Sequence, residues 1–439
     1  MKFKIIAILL LHAFTCNVVV KAQSPKVTVI SGATVIDGTL RTPLKNAVIL
    51  IEGNRIKQVR AKNKIKLPQN AEIIDASGKF VIPGLADMHI HPGSSFLRDN
   101  VGGQMLASGF TTVFLPSGPS LDNIAELRNL SRRDDSKMPR VFAVGPGFTV
   151  KDSHAAAPRY GTFLVETADE ARAKVREYKA AGVDAIKLIY EDGGRAGNPT
   201  YPMMKPEIMR AIIDEAHKQG LKAYVHALNL KRAKEALEAG ADGMVHTVLS
   251  EPVDDEYIRL MKRKRAVFIT THTIMKAFAD IETWMQKLEA MDARKAVPQA
   301  EFDRFKSFEA VEAFYKNVPG LTQEQMGFIK NNLRKVYDAG ILVVAGTDRG
   351  PYGVSSQLEI VFLVEDGLKP IQALQTATIN AAKMLGRERE QGTIEAGKLA
   401  DLVILDADPL ADISNIRRIY CVIKSGVVYD PAQLLQNAK

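Results

Sequence analysis

Val81-Ile82-Pro83-Gly84-Leu85-Ala86-Asp87-Met88-His89-Ile90-His91 is an apolar run that ends in two histidines. Its length and composition predict a buried β-strand over residues 81–90. Along an extended backbone, side chains two apart share a side, so both imidazoles face one way. Seven more apolar runs follow, at 112–115, 141–144, 185–190, 223–226, 243–246, 267–270 and 342–345. Helical patterns separate several of them, as at 168–181, 205–219, 231–239 and 254–263, and Gly182, Gly220 and Gly240 stand where helix C-termini are expected.

Eight strand–helix units imply an α/β chain folded as a (β/α)8 TIM barrel. Outside it, both ends are β-rich. Short strands are expected at 27–30, 47–52, 55–59 and 71–75, with Gly53-Asn54 as a hairpin turn, and again at 401–405, 419–424 and 427–429. Neither end can bury a core alone, so the two are expected to form one small β-sandwich domain. The organisation read from the sequence is residues 23–80 and 391–439 in that domain and 81–390 in the barrel. Residues 272–340 are too long for one crossover and read as a helical insertion after the seventh strand; they carry the only tryptophan, Trp284, in a polar stretch.

Of the 439 residues, 46% are hydrophobic and 25% charged, which excludes a disordered, collagen-like or polytopic membrane protein. Two cysteines, Cys16 and Cys421, exclude a disulfide scaffold or a cysteine-based zinc knuckle. The net charge of +9 comes with no basic run interleaved with aromatics, so no nucleic-acid partner is expected. Lys2 and Lys4, a short apolar core broken by His12 and Asn17, and a small residue at Ala22 predict a signal peptide over residues 1–22. Its removal would take away three lysines and Cys16 and leave no stable membrane span. The expectation is an exported protein, periplasmic or secreted, and a lipoprotein anchored through Cys16 is the weaker alternative. Whether the protein is a homo-oligomer is left open.

Reactive groups of a TIM barrel gather at the C-terminal ends of its strands. His89 and His91 end the first strand, His226 the fifth and His246 the sixth, and Asp348 lies just past the eighth. A pair of imidazoles on one face suits a divalent transition metal such as zinc. Lys187 lies inside the apolar strand Ala185-Ile186-Lys187-Leu188-Ile189. A buried ammonium is costly unless paired or neutral. Lys187 is therefore either salt-bridged inside the barrel or a neutral amine that has captured carbon dioxide as a carbamate. His217 falls within a helix and reads as structural, and His272, after the seventh strand, receives no role.

The run 81–91 resembles the first-strand motif of the amidohydrolase superfamily. Ala345-Gly346-Thr347-Asp348 resembles its eighth-strand motif, and Gly392-Thr393-Ile394-Glu395-Ala396-Gly397-Lys398-Leu399-Ala400-Asp401-Leu402-Val403-Ile404-Leu405-Asp406 resembles the return into its small domain. The branch most similar is that of imidazolonepropionase and the Xaa-Pro dipeptidases (prolidases). Ala181-Gly182-Val183-Asp184-Ala185-Ile186-Lys187 and Tyr224-Val225-His226-Ala227 favour the prolidase side. The resemblance implies two divalent metal ions, zinc by default. His89, His91 and Asp348 would hold one and His226 and His246 the other, with carboxylated Lys187 and a hydroxide as bridges. Asp348 would be general base and then general acid. His154, in the loop after the third strand, would face the substrate and assist the developing oxyanion.

A dipeptide or N-acyl amino acid carries a terminal carboxylate, which an arginine can pair bidentately. Arg195 is the leading substrate-binding candidate and Tyr190 the second, with Lys231 and Arg349 as alternatives. The expected function is an exported metal-dependent amidohydrolase cleaving small amide substrates of Xaa-Pro or N-acyl type. The alternatives are hydrolysis of cyclic amides such as imidazolones, or a non-catalytic binding protein on the same fold.

Overall fold

The run from Val81 to His91 divides at Gly84. A Cβ there would stand 2.2 Å from Thr111 Oγ1 and 2.6 Å from its Cγ2, so only glycine lets the chain pass from one sheet into the next against the neighbouring strand. Phe80–Pro83 pairs in the sheet of the chain ends, and Leu85–Asp87 opens the barrel, where one strand was expected over 81–90. The structure is a computed structural model that describes residues 27–92, 96, 100–117, 120–156, 161–193, 201–291, 303 and 321–436. The expected signal peptide lies outside the described residues.

Along the chain, β1 (Val27–Val35), β2 (Leu44–Glu52), β3 (Arg55–Ala61), β4 (Glu72–Asp75) and β5 (Phe80–Pro83) precede the barrel. The barrel strands are β6 (Leu85–Asp87), β7 (Phe110–Leu115) and β8 (Arg140–Ala143), then, after the short β9 (Phe148–Thr149) and β10 (Phe163–Leu164), β11 (Ala185–Ile189), β12 (Lys222–His226), β13 (Gly243–Val245), β14 (Val267–Ile269) and β15 (Val343–Val344). The chain returns through β16 (Leu402–Leu405), β17 (Ile419–Lys424) and β18 (Val427–Tyr429).

The end strands form one sheet, β18-β17-β16-β5-β1-β2-β3, with β4 beside the first half of β1 and β5 beside its second half. The expected sandwich is thus one hydrogen-bonded sheet. It curls, because β3 meets the segment just ahead of β16: Ile56 N donates to Lys398 O and Ala400 N to Asn54 O, each at 2.9 Å. Ile30, Val35, Ile49, Ile51, Ile404 and Ile423 fill the enclosed core with the free, buried thiol of Cys421.

The barrel strands run parallel, as β6-β7-β8 and as β11 to β15. Backbone bonds close the ring at both seams. Asp184 N donates to Ala143 O at 2.8 Å, and Met88 N donates to Ala345 O at 3.0 Å. Inside, Phe114, Phe142, Tyr224, Val267 and Ile269 interleave, and Gly243 makes room for Tyr224 and Val267, which a Cβ would meet at 2.8 and 2.5 Å. The outer core lies between strands and helices, with Ile186, Leu188 and Val225 against Ile208 and Ile212.

The insertion is helical where described, at His272–Ala279, Ile281–Ala290 and Gln323–Asp338. Trp284 is buried despite its polar neighbours. Helix Ile281–Ala290 is amphipathic, and it turns Ile281, Trp284, Met285 and Leu288 onto Val354, Leu358 and Phe362 of the helix after β15.

A buried ion pair ties the two sheets together. Arg140 of β8 reaches Asp401, just ahead of β16, at 2.8 Å, and Asp401 also accepts from Ser425 N at 2.8 Å. Removing the cation would leave a buried carboxylate without its partner, so Arg140→Met should lower unfolding stability by about 3 kcal/mol. Urea unfolding would check this, and an unchanged midpoint and slope would remove the pair from any role in joining the sheets.

Candidate metal centre

The strands bring five sequence-distant groups to one face. His89 and His91 leave β6, Lys187 lies in β11, His226 ends β12, His246 follows β13 and Asp348 follows β15. The two first-strand rings converge as the spacing predicts, with Nε2 atoms 2.9 Å apart. Asp348 Oδ1 lies 3.5 Å from His89 Nε2 and 3.3 Å from His91 Nε2, and Asp348 Oδ2 lies 4.0 Å from His246 Nε2. The His246 ring is centred 5.0 Å from that of His89 and 4.5 Å from that of His226. The charge of Lys187 acts on all four histidines and on Asp348.

Burial governs the protonation of these groups. It pushes His89, His226 and His246 well below the usual histidine range, with the positive charge of neighbouring groups adding to the effect. It also pulls Lys187 down to about 7, against the attraction of Asp348. Near neutrality the cluster is therefore a set of imidazole lone pairs and, for much of the time, a free amine. His226 Nε2 is buried with no hydrogen-bond partner among the described residues. His89, His91 and Asp348 place one ligand atom each within 4.8 Å of one another. Neutral nitrogens packed this closely, with one carboxylate, are a donor set that fits divalent cations.

Other side chains aim these donors. Asp87, fully buried, accepts from His89 N at 3.0 Å and Thr347 N at 3.1 Å, and the Thr347 hydroxyl bonds its other oxygen. Burial pushes the Asp87 carboxyl up to about 7, while those hydrogen bonds favour its ionised form. His91 Nδ1 lies 3.3 Å from Ser117 O, which assigns the proton to Nδ1 and leaves Nε2 as a lone pair facing the cluster. His246 Nδ1 lies 2.7 Å from Thr271 Oγ1, leaving its Nε2 toward Asp348. His246, Thr271 and Asp348 all have left-handed backbones, with φ of 73°, 61° and 58°. Each costs about 1–3 kcal/mol for a residue other than glycine and persists where its surroundings fix it. Around Thr271 the fixing group is Glu359, buried. It accepts from Thr270 Oγ1 at 2.5 Å, His272 N at 2.9 Å, Thr273 N at 2.6 Å and Thr273 Oγ1 at 2.7 Å.

The remaining candidates divide. His154 stacks on His226 with ring centres 4.9 Å apart and lies 6.0 Å from the partly exposed ring of Tyr201, so it stands between the cluster and solvent. Tyr190 is a correction. Its ring is buried in the layer between barrel and helices, and its hydroxyl donates to Glu235 at 2.8 Å. Strand alternation explains this: with Lys187 and Ile189 facing inward beside Gly147, residues 188 and 190 face outward. Arg195 lies outside the described residues. Lys231 is exposed at the start of helix Leu230–Ala239, and Arg349 lies over the Trp284 ring. His272 is buried on Asp366 at 2.7 Å, and His217 pairs with Asp242 at 2.8 Å, so both are structural.

Asp87, Thr271 and Glu191 escaped the sequence reading. Glu191, buried, accepts from Gly193 N at 2.7 Å and Leu228 N at 2.9 Å and lies 3.8 Å from His226 Nε2. Asp87 had a signal, an acid two residues before His89 in an apolar run. Thr271 and Glu191 had only their places just past strand ends.

A family model described as "Amidohydrolase family" matches residues 80–429. Among curated proteins, the chain is 23% identical to the ochratoxinase of Aspergillus niger over 447 aligned residues, covering 90% of this chain and 84% of that enzyme. It is 24% identical to the imidazolonepropionase of a Geobacillus species, covering 83% of this chain and 84% of that one. Among solved structures, a Xaa-Pro dipeptidase with methionine bound in its active site superposes with a TM-score of 0.73 at 27% identity, over 92% of this chain and all of that one. The family match begins on the first residue of β5 and ends on the last of β18, so it takes in the barrel and the strands that close the small sheet, and the chain belongs to the amidohydrolase family.

Proposed function

We propose that this amidohydrolase is an exported, metal-dependent enzyme that cleaves the C–N bond of dipeptides of the Xaa-Pro type or of N-acyl amino acids. The observation that carries the reading is the convergence of His89, His91, Lys187, His226, His246 and Asp348 at one barrel face, with nitrogens that burial keeps neutral. Likeness to a Xaa-Pro dipeptidase at 27% identity supports the substrate class. The basic start and apolar core of residues 1–22 support export.

His89, His91 and Asp348 would hold one divalent ion, zinc by default, and His226 and His246 a second. Lys187, whose amine is free for much of the time near pH 7, would capture carbon dioxide and offer the carbamate oxygens to both. Bound there, two divalent ions lower the pKa of water and polarise a carbonyl. The chain's own groups do the rest. Asp348 accepts the proton of the attacking water as the C–O bond forms, then gives it to the nitrogen as the C–N bond breaks. His154, held against His226, donates toward the oxygen on which charge develops. Asp87 and Thr271 keep His89 and His246 aimed.

The direct test supplies the full chain with zinc and bicarbonate and presents Xaa-Pro dipeptides, N-acyl amino acids and cyclic amides. Cleavage of the first two classes is expected, and cleavage of cyclic amides alone would overturn the substrate reading. Lys187→Ala should lose most bound metal and turnover together; a variant that keeps both, by elemental analysis and assay, would end the bridging role. Thr271→Val removes the hydrogen bond that orients His246, so zinc affinity should fall about 10–100-fold. Competition with a chelator measures this, and an unchanged affinity would return Thr271 to a purely structural place.

A further inference from the structure

We propose that Tyr352 is a positioning residue for His91: its hydroxyl fixes the backbone of that histidine and so sets the gap between His91 and Asp348, two of the groups that would share the first divalent ion. His89, by contrast, is held from two sides. It is buried, its N–H donates to Asp87, and its carbonyl accepts from Asp348 N at 2.7 Å. His91 stands farther out, with its side chain 35% exposed. The main-chain bonds of this segment stop one residue earlier, where Ile90 N donates to Phe114 O at 3.3 Å. Among the described residues the next donor, His91 N, has one acceptor, the Tyr352 hydroxyl at 3.0 Å.

The phenol is a fixed point because the loop that carries it is packed. Gly353 follows it with φ of 92°, and a Cβ there would stand 2.5 Å from Ser108 Oγ and 3.1 Å from Gln104 O, so the loop lies directly on helix Val101–Ala107 and the residue that ends it. Gln357 Nε2 donates to Ser108 O at 3.0 Å, which seats helix Val354–Glu365 on the same place. Tyr352 itself is partly buried against the outer core. The result is a closed circuit. Asp348 and Tyr352 lie in one short loop after β15, Tyr352 holds the His91 backbone, and Asp348 Oδ1 lies 3.3 Å from His91 Nε2. The ring is aimed separately, by Ser117 O just past β7. Partners that orient a metal ligand typically change metal affinity by about 10–100-fold when removed. Water can replace a hydroxyl at the partly exposed His91, which puts Tyr352 at the low end of that range. The inference rests on the divalent ions of the proposed function, and not on the bond that is cut.

Tyr352→Phe removes the oxygen and leaves the ring, so a role in packing alone predicts no change. Zinc-loaded full-length protein would be titrated with a chelator that resolves the release of successive ions. In Tyr352→Phe one ion should bind about tenfold more weakly while the other keeps its parent affinity. The far-ultraviolet spectrum should stay as in the parent. Thr271→Val acts on His246 and should weaken the other ion, so the double variant should show both ions weakened, each by its single-variant factor. In the metal-free protein, amide exchange at His91 should be at least about tenfold faster in Tyr352→Phe, because the protecting bond is gone. Parent affinity for both ions in Tyr352→Phe, equal weakening of both, or a double variant in which a single ion carries the whole loss would overturn the positioning role. Selective loss of one ion in a protein that cleaves no amide would sustain Tyr352 and overturn the C–N reading. Cleavage of amides by a parent whose Tyr352→Phe variant keeps both ions would do the reverse. A parent that binds no divalent ion would overturn both.

Discussion

The carboxylate of Asp87 decides where the two ends of the barrel meet. It accepts from the backbone of His89, at the end of the first strand, and from both the backbone and the hydroxyl of Thr347, at the end of the eighth. Burial alone would favour the protonated form, and the donors aimed at it favour the ionised one. Hydrogen bonds to a charged group contribute roughly 1.5–3 kcal/mol each, so three of them can offset much of the desolvation. The residues so joined are neighbours of His89 and Asp348. Closing the ring and bringing His89 and Asp348 together are therefore the same event.

The second half of the cluster is held at a conformational cost. His246, Thr271 and Asp348 have left-handed backbones that β-branched and bulky residues avoid. A chain selected for stability alone would place glycine there. The chain instead places there two members of the buried cluster, His246 and Asp348, and Thr271, whose hydroxyl holds the His246 ring. At Thr271 the strain is balanced by the buried carboxylate of Glu359, whose four hydrogen bonds fix residues 270–273. This follows the expectation that local rules fail where function requires them to.

What could be read from the sequence follows from what sequence patterns encode. The eight barrel strands stood out because each is a short apolar run between polar segments; the histidines stood out because they end such runs, Asp348 because it follows one, and Lys187 because it interrupts one. The parity of a strand encodes orientation as well: an inward Lys187 requires an outward Tyr190, whose hydroxyl donates to Glu235 in the helix layer. Other features lie in no local pattern. That 81–90 is two strands depends on a contact between Gly84 and Thr111, which only the folded sheets create. Trp284 is buried because a helix from β15 covers it, and polar neighbours in sequence carry no trace of that.

The insertion after β14 links these halves. Its first residues form the turn in which Thr271 orients His246, and its second helix carries Trp284 beneath Arg349. One connection thus touches both a histidine of the cluster and the arginine next to Asp348. Loops at this end of a barrel can vary in length without disturbing the strands, which is how one scaffold supports many substrates. Here the insertion is not independent of the cluster. Its anchor at Glu359 fixes the turn at Thr271, and its second helix, Ile281–Ala290, packs on the same helix, Val354–Glu365, that carries Glu359. A change in the insertion that shifts this helix would therefore move Trp284 beneath Arg349 and the turn that holds His246 together, so neither can be altered there without the other.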